Sequence, residues 1–171
     1  EFIVDVDSAH VIATGAVRPY HADRMLKPMI WKFSNNMAIK DDLAVMDFIA
    51  GNNWNHPLNY SVTVPASTYI GLEQYFILEG MAYRVSPIRI DQPGQGETGM
   101  VDTREMYENM MNDFRWGNAE KDGVYLDENN RRMFDVFRRQ FAKLAMALVA
   151  EGDTARAVAA IHKGLSIVPP E

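Results

Sequence analysis

A chain of 171 residues with 47% hydrophobic side chains can bury one ordinary core or two small ones. Its net charge of −6 argues against a nucleic-acid partner, because neutralising phosphates takes clustered Lys and Arg. The absence of cysteine excludes disulfides and thiolate metal sites, and the apolar runs fall well short of the ~20 residues that span a bilayer, so the chain is not itself membrane-spanning. It begins at Glu1 without a signal-peptide pattern and is expected to be a fragment or a processed product.

Phe2-Ile3-Val4 and Met29 to Phe33 read as strands, with Pro19 and Pro28 interrupting the mixed sequence between them. Lys40 to Ala50 reads as a helix with Gly51 as its stop, and Asn52-Asn53 as the following turn. Leu58 to Val64 is expected to be a strand, broken by Pro65-Ala66-Ser67. Ser67 or Thr68 then caps an expected helix that runs to Glu79 and stops at Gly80. Met81 to Ile90 is the next strand, with Pro87 marking an edge or a bulge. Strand, helix and strand with short links make a βαβ unit. The expected fold class is therefore α/β (or α+β), a small mixed sheet with that unit in residues 1–90. Residues 91–100, rich in Gly and Pro and without apolar anchors, are expected to be a mobile linker.

Residues 101–171 read as helical. Asp102 to Glu105 resembles a capping box, followed by Met106, Tyr107, Met110, Met111 and Phe114 at helical spacing. Asp127 is placed to cap a long helix ending at Gly152, and Asp153 or Thr154 a final helix that Pro169-Pro170 closes.

The terminal helical pair resembles a tetratricopeptide (TPR) repeat. Phe141, Leu144, Ala145 and Leu148 occupy the packing positions of the first helix, and Gly152 the turn. Ala157, Ile161 and Gly164 occupy those of the second helix, and Pro169 closes the unit. A lone repeat cannot bury its own face, so the resemblance implies a neighbour.

A wider resemblance rests on Asp42 to Asp47, Asn53-Trp54, Pro57, Gly71-Leu72, Tyr75-Phe76, Leu78-Glu79-Gly80, Tyr83-Arg84 and Pro87. It continues through Val101-Asp102-Thr103, Met106-Tyr107, Phe114, Trp116-Gly117 and Tyr125 to Asn129. These resemble a bacterial group of polytopic membrane proteins of unknown function, similar to protein O-mannosyltransferases. The chain departs from that pattern at His56, where Arg is usual, and at Asn59, where an aromatic residue is common. The resemblance implies the soluble C-terminal region of a membrane-anchored, glycosyltransferase-like protein, on the periplasmic side. Its partner is then the membrane-spanning part of its own parent chain or another protein. Transferase groups would belong to the membrane part, so no catalytic residue carries over.

The residues supply little independent chemistry. His10, His21, His56 and His162 lack HxH, HxxxH or HExxH spacing, so no metal and no cofactor is expected. Asp5 and Asp7 form a DxD pair, but solvated carboxylates outweigh a metal site there. The candidate ligand site is the expected strand-to-helix loop at 64–69, where Ser67, Thr68 and Tyr69 would join the free amides of a helix N-terminus. Asn53 and Trp54 add an amide and an aromatic face. Ordinary capping and a core tryptophan outweigh both readings. The function expected is a non-catalytic domain for protein contact or substrate presentation. The alternative is a sugar- or nucleotide-binding or enzymatic domain using the 64–69 loop.

Overall fold

The computed structural model describes residues 1–34, 37–90, 98–119, 121 and 123–167. The chain forms two compact units, Glu1–Leu78 with Ala82–Met100, and Glu79–Met81 with Val101–Glu171. The class is mixed α and β, with small sheets and a terminal helical hairpin. Most of the expected 91–100 linker, residues 91–97, and Pro169-Pro170 lie outside the described residues.

In the first unit β1 (Phe2–Val4) leads into the short helix α1 (Ser8–Ala13), which Asp7 caps by accepting from the Ala9 and His10 amides. Strand β2 (Met29–Trp31) pairs antiparallel with β1, setting Phe2 opposite Trp31. Helix α2 (Lys40–Asn52) follows. It runs through Gly51, the expected stop, and ends where Asn53 and Trp54 adopt φ of 42° and 60°. Asn tolerates that left-handed turn, and Trp54 is held in it because its indole N–H donates to the Asp5 carbonyl at 3.0 Å.

The main sheet contains β3 (Leu58–Ser61), β4 (Phe76–Leu78), β5 (Ala82–Val85) and β6 (Met100–Val101), in the order β3-β5-β4-β6. Strand β5 is antiparallel to both β3 and β4, with Val85 opposite Leu58 on one side and Phe76 on the other. This corrects the βαβ expectation in its detail. The helix expected from 68 to 79 does not form; single 3-10 turns at Ala66–Thr68 and Glu73–Tyr75 replace it. Two physical reasons account for the difference. Ile70 and Gly71 take positive φ, 49° and 92°, which no right-handed helix accommodates. At Gly71 a Cβ would also collide with the Lys32 carbonyl. The second reason is Phe76-Ile77-Leu78. All three side chains are buried, which suits a central strand covered on both faces, and a short apolar run of that kind does not distinguish strand from helix by periodicity.

The second unit is helical. Helix α3 (Thr103–Glu108) starts on Asp102, whose carboxylate accepts from the Glu105 amide at 3.1 Å, and passes into a π-helical turn, Asn109–Asp113. Helix α4 (Glu128–Ala150) starts on Asp127 and α5 (Thr154–Ile167) follows a turn at Gly152. Asp153 accepts from the Arg156 amide at 3.0 Å and so satisfies one of the free first-turn donors of α5. Met106, Met110, Leu144, Leu148 and Ala160 are fully enclosed. Trp116 packs edge-on to Phe137 and tilted over Phe141. Met106 and Met110 are therefore core residues.

Candidate functional site

The polar residues singled out by sequence are mostly engaged in holding the backbone. Thr68 donates its hydroxyl to the Pro65 carbonyl at 2.7 Å, closing a single turn. Tyr69 is buried and packs edge-on to Tyr60 and Phe76. Ser67 is exposed. Without a helix after them, these three residues face no helix N-terminus, and the geometric premise of a 64–69 ligand loop is absent. Asn53 and Trp54 form the α2 terminus. The Asn53 carbonyl lies 3.2 Å from His10 Nε2, and Trp54 is buried with its one donor used. Asp7, the second carboxylate of the DxD pair, is occupied with capping. The two amides that it accepts hold its carboxyl below the usual aspartate range. Among the described residues no group of three or more His, Asp or Glu side chains is placed to hold a metal ion.

Tyr60 was not among the sequence candidates. Its ring stands at the edge of a shallow cavity of about 350 Å³ lined also by Val45, Phe48, Ile49 and Leu58. Its hydroxyl is sealed from solvent without a hydrogen-bond partner among the described residues. Burial, then the charge of Asp42, pushes the phenol up to about 12, so it stays neutral at physiological pH.

The helical hairpin carries an open apolar feature. Phe141, Leu144, Ala145 and Leu148 of α4, and Ala157 and Gly164 of α5, are buried. Gly164 lets the helices approach; a Cβ there would stand 3.0 Å from Cβ and Cγ of Phe141. Gly152 takes φ of 83° in the turn. Ile161 is 39% exposed and Pro169 lies outside the described residues. Between them α4 and α5 also leave an open groove of about 770 Å³, floored by the buried Ala145 and Ala157. Ala142, Ala145, Ala150 and Ala157 supply small side chains along it. Met146 and Val149 rise from α4, and Val158 and Ile161 from α5, each more than one-third exposed. Thr154 and His162 are its polar members. Met146 and Val149 on α4, and Val158 and Ile161 on α5, repeat at helical spacing, but sequence alone does not say which stripe of each helix stays open.

The described residues thus form small sheets with accessory helices, followed by a helical hairpin bearing an apolar groove. Residues 1–105 match TMEM260-associated domain 2, and the chain belongs to that family. No curated protein and no solved structure matches it. Among the described residues no helix is long and apolar enough to cross a membrane.

Proposed function

We propose that this chain is a non-catalytic contact or substrate-presenting domain of a membrane-anchored, glycosyltransferase-like protein. Family membership supports the association with such a parent, and the groove of α4 and α5 is the observation that carries the contact role. Apolar area left open on a hairpin is area that another surface can cover with a gain in free energy. The engagement of Asp7, Thr68 and Trp54 in backbone hydrogen bonds supports the non-catalytic half of the reading. In this reading the hairpin is a TPR-like pair, supported by the burial of Phe141, Leu144, Ala145, Leu148, Ala157 and Gly164. The parent is bacterial in this reading, and the domain is soluble and periplasmic. Its partner is the membrane part of the same parent or another protein, held close by the covalent link so that a weak contact suffices.

The test is an assay of the purified chain with lipid-linked and nucleotide sugars, with and without divalent metal. No turnover is expected. Turnover that survives purification and disappears on substitution of Asp5 and Asp7, or of Ser67 and Tyr69, overturns the proposal.

A further inference from the structure

We infer that the groove between α4 and α5 seats one amphipathic helix whose apolar stripe is flanked by carboxylates. The inference rests on the contact-domain reading above and names the partner's chemistry. The first argument is hydrogen bonding. The groove offers Thr154 and His162 and otherwise aliphatic carbon, so an occupant finds almost no partners for its backbone. A helix satisfies its own amides and carbonyls internally, whereas an extended segment would bury them unpaired. The second argument is shape. Alanines along the groove, between the Met146–Val149 and Val158–Ile161 ridges, make a trough that fits a cylinder better than a flat bilayer. Ala142 to Ala150 spans ~12 Å of helix axis, enough to seat two to three turns.

Charge selects among helices. Residues 128–167 hold seven Lys or Arg against four Asp or Glu, whereas the whole chain holds 17 against 23. On α4, Arg138 and Arg139 precede Ala142 by one turn, so the groove runs into a basic end, with His162 on the facing helix. Arg138 already pairs with Asp135 at 3.6 Å, whereas Arg139 is exposed. Two hairpins of this surplus would repel, which disfavours pairing of two copies through this groove and favours an acidic occupant.

The test uses the whole chain and two synthetic helical peptides of about 14 residues, about four turns. Both carry Leu and Ala along one face; one has Glu on its flanks and its twin has Lys. At low salt the Glu peptide is expected to bind about tenfold more tightly than the Lys peptide, with the preference shrinking as salt rises. Arg139→Glu should narrow or invert the preference. Val158→Asp, or Met146→Glu if the first variant loses its helical signal, should abolish binding of the Glu peptide. Equal binding of the two peptides, or binding of neither, overturns the inference. So does a concentration-dependent dimer that Val158→Asp dissolves, or partition onto phosphatidylglycerol vesicles without peptide binding. A chain that binds the Glu peptide but turns over sugars leaves this inference standing and overturns the contact-domain reading. An inert chain blind to both peptides does the reverse.

Discussion

Gly164→Ala separates intrinsic helix propensity from packing in the terminal hairpin. Gly164 lies within α5, where exchanging Gly for Ala at a solvent-facing site stabilises by about 1 kcal/mol. Here the new methyl carbon would sit 3.0 Å from Phe141 Cβ and Cγ. Those atoms lie next to the α4 backbone, so relief requires the helices to separate. Overpacking of this kind costs about 1–3 kcal/mol. The two effects oppose, and packing should win by up to about 2 kcal/mol. Urea unfolding followed by far-UV circular dichroism measures it, because the long helices of the hairpin contribute strongly to that signal. With a urea slope of about 1–3 kcal/mol/M, the midpoint should fall by up to about 0.7–2 M. The control is the same substitution in a Phe141→Ala background, where Cγ and the ring are removed and the double-mutant cycle should show a favourable coupling. A midpoint that rises by the full propensity increment in the wild-type background would refute the close-approach reasoning.

Asp153→Ser keeps an N-cap but removes a titrating group. Backbone and side-chain hydrogen bonds from Arg156 hold the Asp153 carboxyl below its usual value, so its contribution is present above pH ~4 and lost as pH falls through the lowered value. The loss of stability between pH 5 and pH 2.5 should therefore be smaller in Asp153→Ser than in the wild type, measured by thermal midpoints. Trp54→Phe leaves the Asp5 carbonyl without its 3.0 Å donor and should lower stability by about 1 kcal/mol in urea titration. Tyr60→Phe removes a sealed, unpartnered hydroxyl and should leave stability unchanged or raise it by about 1 kcal/mol, while the phenolic component titrating near 12 disappears from the ultraviolet titration. Ser67→Ala should shift the urea midpoint by no more than about 0.5 kcal/mol equivalent, because Ser67 is exposed and no helix begins there.

The sequence by itself determined the elements whose causes are local. Asp102, Asp127 and Asp153 announce three helix starts because a short carboxylate three residues ahead of a free amide is a capping geometry wherever it occurs. The period of Phe141, Leu144, Ala145 and Leu148 defines one buried stripe of α4 because side chains three and four apart share a face. The mixed class and the terminal hairpin follow from these signals. Only tertiary structure decided the centre of the first unit. Phe76-Ile77-Leu78 has no period, and its pairing with β5 depends on residues that close over both faces rather than on its own propensity. With that pairing the expected helix at 68–79 vanished, and so did the helix terminus on which Ser67, Thr68 and Tyr69 depended. The groove was likewise hidden. Ala142, Met146, Val149, Val158 and Ile161 are apolar residues on helices that also bury apolar residues, and which stripe is covered is set by how α4 and α5 meet. Gly164 against Phe141 is one close approach in that meeting, a contact between positions 23 residues apart that local sequence does not specify.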